Sequence, residues 1–150
     1  MTELHDIETR DDIERLVRAF YGRALEDEII GWLFTDVAKL DVEAHVPQIA
    51  SFWETVLLGV KSYNGSPFPP HYDLHMKAGL KPGHFARWVA LWETTVDELF
   101  SGERATMAKA HALRVAQAFS RRLQDYPARG GVADPPEGLL PMTQHVPKSD

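Results

Sequence analysis

Three observations predict an all-α fold for this chain. Apolar residues recur at i, i+3, i+4 and i+7 in four separate stretches, and no segment alternates with the period of two that a half-buried strand requires. With 150 residues and a 44% hydrophobic composition, the chain fits one domain closing one sizeable core, and it contains no internal repeat.

Residues 1–8 carry no strong signal and read as a loose lead-in. Asp11 with Glu14 three residues on fits a capping box, and Ile13, Leu16, Val17, Phe20, Tyr21, Ala24 and Leu25 then keep helical spacing toward a buried face. Ile29, Ile30, Trp32, Leu33 and Phe34 form a dense apolar cluster interrupted by Gly31; it is too short for a long helix and is expected to tuck inward. After a connection over 36–41, the spacing from Val42 through His45, Ile49, Phe52, Trp53 and Val56 to Val60 marks a second main helix. Its regular part should begin near 44–46, so that Pro47 falls in the first turn, where a missing N–H costs nothing.

Residues 63–66 make a turn, and Pro67, Pro69 and Pro70 make the approach to His71 extended and stiff. Only a turn or two of helix fits between His71 and Met76. A third main helix runs from Pro82 or His84 to Phe100, burying Phe85, Trp88, Val89, Trp92, Val96 and Leu99. A fourth, over 103–125, presents Ala108, His111, Ala112, Val115, Ala116, Phe119 and Leu123 on one side. Residues 126–150 hold five of the ten prolines and three of the ten glycines and read as a mostly irregular tail, which leaves 1–125 as the folded domain.

Charge and composition remove several classes of function. The net charge is −6 and the pI about 5.6, and no Lys/Arg stripe runs along a helix, so nucleic acid is excluded as a partner. The chain has no cysteine, which removes disulfides, thiolate metal sites, iron–sulfur clusters and thiol nucleophiles. Any metal must be held by His, carboxylate or Tyr. The polar N-terminus has no signal core and no stretch is apolar enough to span a membrane, so a soluble cytoplasmic protein is expected.

The chemistry centres on the stretch from His45 to His71, where two histidines bracket an aromatic helix. If both face one flat cofactor, one above it and one below, Phe52, Trp53, Val56 and Leu57 supply walls, and the arrangement suggests bound haem. A neutral imidazole commonly holds haem iron, and His71, pinned by prolines beneath that helix, is the leading candidate. His75 is one helical turn on and is the alternative ligand; the two cannot occupy opposite axial positions of one haem. Tyr21, His45 and Trp88 come from three different helices and each joins an apolar body to a donor tip, although spacing alone favours core residues whose donors are tied to nearby carbonyls.

Four ordered motifs give this pattern a family. FYGRALEDEIIGWLF, then His45-x-Pro-Gln-Ile-x-x-Phe-Trp, then Tyr63-Asn-Gly-x-Pro-x-x-x-His71, then His84-Phe-x-x-Trp88, together resemble the truncated (two-over-two) haemoglobins, in particular group III, over about residues 10–125. The paired glycines that mark the other two groups are missing from the corresponding places; Gly130-Gly131 in the tail is the only such pair. The resemblance implies a globin-like two-over-two sandwich around haem b, with residues 10–34 and 45–60 forming one helix pair and 84–100 and 103–125 the other. It makes His71 the proximal iron ligand and puts Tyr21, His45 and Trp88 on the distal side. Phe34 matches the aromatic that packs on the porphyrin. Ile49, Phe52, Trp53, Trp92 and Val115 become wall residues, and Gln48 and Tyr63 become candidates for a propionate.

The function implied is binding of O2, NO, CO or peroxide at a five-coordinate iron with polar distal donors. Donors that hold a ligand tightly slow its release, which points to ligand chemistry with an external reductase, such as nitric oxide dioxygenation or peroxide handling, or to sensing, rather than to bulk transport. His45 would gate, hydrogen-bond or ligate. Two other readings compete. The pair His71 and His75 has the i, i+4 spacing of a non-haem iron site, and the Trp-rich face could belong to a cofactor-free helical interaction module.

Overall fold

The computed structural model describes residues 3–126, and these form five α-helices with no strand among them. They are α1 (Arg10–Ala24), α2 (Val42–Leu58), α3 (Phe68–Ala78), α4 (Pro82–Leu99) and α5 (Glu103–Leu123). A π-helical turn over Leu33–Val37 joins α1 to α2. Helix α1 packs on α2 and α4 on α5, and the two pairs meet through α1 with α4 and α2 with α5. This is the two-over-two sandwich. Helix α3 lies against α5 and the π-helical turn and belongs to neither pair.

Each long helix follows from its stripe. In α1, Ile13, Leu16, Val17, Phe20 and Ala24 are buried at helical spacing. The capping box is two residues earlier than expected. Thr9 accepts the Asp12 N–H at 3.1 Å and the Asp12 carboxylate accepts the Thr9 N–H at 3.1 Å, so the helix begins at Arg10. Helix α2 also begins early. Asp41 accepts the Ala44 N–H, regular helix starts at Val42, and Pro47 falls in the second turn. The Glu43 carbonyl that Pro47 cannot serve belongs to an exposed residue, where water can take it.

The prolines before His71 do not extend the chain. Pro67 is the N-cap of α3, and Pro69 and Pro70 occupy its first turn, where helix geometry asks for no N–H and welcomes a fixed φ. His71 therefore stands on a helix of eleven residues rather than at the end of a stiff strap.

Residues 3–8 of the lead-in are tied to the fold. Asp6 accepts the Arg104 and Ala105 N–H groups, both at 2.9 Å, and so caps α5 from almost a hundred residues away; Ile7 is fully buried. The cluster after α1 divides: Ile30 and Leu33 are buried, while Ile29 and Trp32 face outward. Gly31 is required there, because a Cβ would stand 2.6 Å from the Leu25 carbonyl oxygen. Tyr126 is docked, its ring 5.6 Å from Tyr72, and the rest of the expected tail, 127–150, lies outside the described residues. No helix among the described residues is long and apolar enough to cross a membrane.

Candidate cofactor site

A cavity opens between the two helix pairs and α3. Its lining includes Tyr21 from α1, Phe34 from the π-helical turn, His45, Gln48, Ile49, Phe52 and Trp53 from α2, Tyr63 from the following loop, His71 from α3, Trp88 from α4 and Val115 from α5. Residues scattered over almost a hundred positions of sequence are thus brought around one space. The walls are mostly apolar and aromatic, with a few polar groups among them, as ligand sites generally are.

Three wall residues expected from the sequence stand elsewhere: Val56 and Leu57 of α2 and Trp92 of α4 are all outside the cavity lining. Trp92 is 1% exposed and outside the lining; its indole N–H donates to the Ala108 carbonyl at 3.2 Å, and its ring packs behind Trp53 and Trp88. Helical spacing could not separate the wall from the layer behind it, because both face inward.

His71 has the electronic arrangement of a metal ligand. Its Nδ1 donates to the Pro67 carbonyl at 2.7 Å, which fixes the neutral tautomer and leaves Nε2 with its lone pair. Burial pushes the imidazole below its usual value, against the smaller opposite pull of that carbonyl, so it stays neutral and able to donate electron density. Phe119 packs on the ring at 5.0 Å.

His75 is held differently. It is 6% exposed and does not line the cavity. Its Nδ1 accepts the Leu80 N–H at 2.9 Å and its Nε2 donates to the Tyr126 carbonyl at 2.5 Å, so both nitrogens are engaged. It ties α3 to the turn before α4 and to the end of α5. The i, i+4 pair is thus divided between a cavity residue and a structural tie, which removes the basis for a two-histidine iron site. The other possible metal cluster among the described residues, His5, Glu8 and Asp12, is at the surface, and its Asp12 already serves the α1 capping box.

Three other helices contribute polar groups to the same lining. Tyr21 packs edge-on to Phe34, centroids 5.7 Å apart, and burial pushes its phenol strongly upward, so it keeps its proton and can donate. His45 is half-buried near the start of α2, and its Nδ1 donates to the Asp41 carbonyl at 3.1 Å. The residues fit a planar metallated macrocycle: a neutral imidazole nitrogen on one element, flat aromatic walls, and donors from α1, α2 and α4.

The structure adds lining residues that sequence reasoning passed over. Pro70, Leu74 and Lys77 share a face of α3 with His71, Leu80 follows in the turn before α4, and His84 and Phe85 stand at the start of α4. The spacing 67, 70, 71, 74, 77 would have marked that face had the segment been read as helix.

No family model matches the chain. Among curated proteins, it is 27% identical over 120 residues to the "Group 3 truncated hemoglobin ctb" of Campylobacter jejuni, an alignment covering 78% of this chain and 92% of that protein. Among solved structures, it matches the crystal structure of group III truncated hemoglobin from Campylobacter jejuni with a TM-score of 0.71 at 25% identity, covering 85% of this chain and all of that one.

Proposed function

We propose that this chain, similar to the group III truncated haemoglobin of Campylobacter jejuni, would hold haem b through His71, and that Tyr21, His45 and Trp88 would act on whatever small molecule the haem binds. Haem iron held by one imidazole supplies an open sixth coordination position for O2, NO or CO. The observation carrying the proposal is the state of His71. Its Nδ1–H is committed to the Pro67 carbonyl, and it lines the same cavity as the three donors.

The residues divide the work by their chemistry. The Pro67 carbonyl orients the His71 ring and raises the basicity of its remaining nitrogen, the usual service of an outer partner to a metal-binding imidazole. Tyr21 offers a phenol that stays protonated at any physiological pH. Trp88 adds an indole, and His45, half-buried near the start of α2, is suited to donate, gate access or move a proton. Gln48 and Tyr63 are suited to meet an acidic edge of the cofactor. Ile49, Phe52, Trp53 and Val115 exclude water, which strengthens each of these hydrogen bonds.

A hydrogen bond to a charged partner contributes roughly 1.5–3 kcal/mol, so two donors on a partly anionic ligand hold it about 10²–10⁴ times more tightly than an apolar pocket would. Slow release suits turnover of NO, O2 or peroxide with an external reductase, or sensing, better than delivery.

The test compares O2 dissociation by stopped flow in wild type and Tyr21→Phe with NO consumption when a reductant is supplied. Slow release in wild type, release about tenfold faster or more in the variant, and sustained NO turnover support the proposal. Fast release that Tyr21→Phe leaves unchanged overturns it in favour of transport.

A further inference from the structure

Trp53, Trp92 and Trp88 form a stack of three indoles. The centroid of Trp92 is 4.7 Å from that of Trp53 with 19° between planes, and 6.1 Å from that of Trp88 with 9° between planes. The outer rings line the cavity, one from α2 and one from α4, while the middle ring is sealed in the core. Around them the aromatic contacts are edge-on, as Phe20 is to Trp88 at 5.9 Å and to Trp92 at 5.4 Å. Core filling is satisfied by edge-on pairs as readily as by parallel ones. Three near-parallel indoles in sequence, two of them on the site, have an electronic consequence as well, because parallel rings in contact share a positive charge.

We propose that this triad is an internal electron donor to the cofactor during hydroperoxide reduction, holding the resulting deficit as an indole radical cation centred on Trp92. The inference rests on the haem reading above. Reduction of hydrogen peroxide breaks its O–O bond and, with two electrons and two protons from solvent, gives two molecules of water. Ferric haem gives up both electrons; the triad returns one, leaving one indole and the haem each short of one electron. Two electrons from an external one-electron reductant of the phenol or ascorbate class then restore both.

Trp92 suits this role because its oxidation needs no base. Its N–H donates to the Ala108 carbonyl, and an amide oxygen is far too weak a base to take that proton, so the cation keeps it and remains easily reduced. Tyr21 is the competing donor in the cavity. A phenol must shed its proton when oxidised, and burial opposes that loss. Trp32, 40% exposed and edge-on to His84 at 6.2 Å, lies outside the stack and serves as an internal control.

The experiment loads the full chain with hemin, verifies the Soret band, and freeze-quenches the ferric protein after one equivalent of hydrogen peroxide for electron paramagnetic resonance. Peptide mapping then locates the oxidised side chains. The expected result is a tryptophan cation radical in wild type, its loss in Trp92→Phe at equal haem loading, and oxidation at the triad in preference to Trp32 and Tyr21. A tyrosyl radical, a signal unchanged in Trp92→Phe, no protein radical, or oxidation confined to Trp32 would overturn the proposal. Mapping on wild type decides the matter even if Trp92→Phe does not fold. A chain that gives no Soret band with hemin defeats the haem reading itself, whereas a normal Soret band with no oxidised triad defeats this inference alone.

Discussion

The Nδ1–H of His71 donates to the carbonyl oxygen of Pro67 at 2.7 Å, and this contact separates His71 from His75, four residues further along the same helix. One imidazole keeps a nitrogen for the cavity; the other has both nitrogens engaged by the backbone. His71→Gly should therefore lose the ferrous spectrum of histidine-bound haem, and millimolar imidazole should restore it by filling the vacated space. His75→Ala should keep the spectrum. A ferrous absorption spectrum of each variant checks this, and retention in His71→Gly with loss in His75→Ala would reverse the assignment.

His75→Ala has its own expected cost. It strands the buried Leu80 N–H and releases the half-buried Tyr126 carbonyl; a buried polar group left without a partner costs about 1–3 kcal/mol, and the carbonyl, reached by water, costs less. Urea denaturation of the apo chain should show a lower midpoint at unchanged slope, with His75→Gln recovering part of the loss through one of the two hydrogen bonds.

The same contrast shows what sequence can and cannot disclose. Helices α1, α2, α4 and α5 were legible because each buries a stripe with a period near 3.6, as Ile13, Leu16, Val17 and Phe20 do. Helix α3 was obscured by its own prolines. Breakers in a helix interior, they are well placed in a first turn, and the two situations differ by a few residues of register. The tie from Asp6 to the start of α5 spans 98 and 99 positions and leaves no local pattern. For Tyr21, His45 and Trp88, helical spacing describes a cavity wall and an ordinary core equally well, so their convergence came from the family resemblance and the folded geometry. Trp92 reads identically to Trp88 in sequence; one turn along α4 puts it behind the wall.

Stability should depend on acid through Asp27. The Arg87 guanidinium donates to it at 2.9 and 2.6 Å, and the Ile29 and Ile30 N–H groups add to the pull, holding its carboxyl below the usual 3.8 against the opposing effect of burial. A carboxyl with a depressed folded value binds its proton less readily than the unfolded chain does. Its contribution is therefore complete above about pH 4 and is lost as pH falls through the folded value. Arg87 is 40% exposed, so solvent screening keeps the contribution of the ion pair small. Arg87→Met should lower the urea midpoint at pH 7 and narrow the gap from wild type as the solution is acidified below pH 4. A gap independent of pH would mean that Arg87 contributes packing only.

Pro47 and Arg10 act on the same turn of α2 and should act in opposite directions. Pro47 lacks the N–H that would serve the Glu43 carbonyl, and an interior proline costs a helix up to about 3 kcal/mol. Arg10 partly offsets this from α1: one guanidinium nitrogen donates to the Pro47 carbonyl at 2.9 Å, another to Ser51 at 2.9 Å and Glu54 at 3.0 Å, and its Nε to Glu14 at 3.0 Å. Pro47→Ala should raise the thermal midpoint and Arg10→Met should lower it, the latter by about 1–2 kcal/mol, since the hydrogen bonds lost are charged but only partly buried. The proline is also flanked by His45 and Gln48, which both line the cavity. If Pro47 sets the position of that turn for the sake of the site, the more stable Pro47→Ala protein will show an altered O2 dissociation rate. A stabilised variant with wild-type ligand kinetics would mean that the turn contributes to the fold and not to the binding of the ligand.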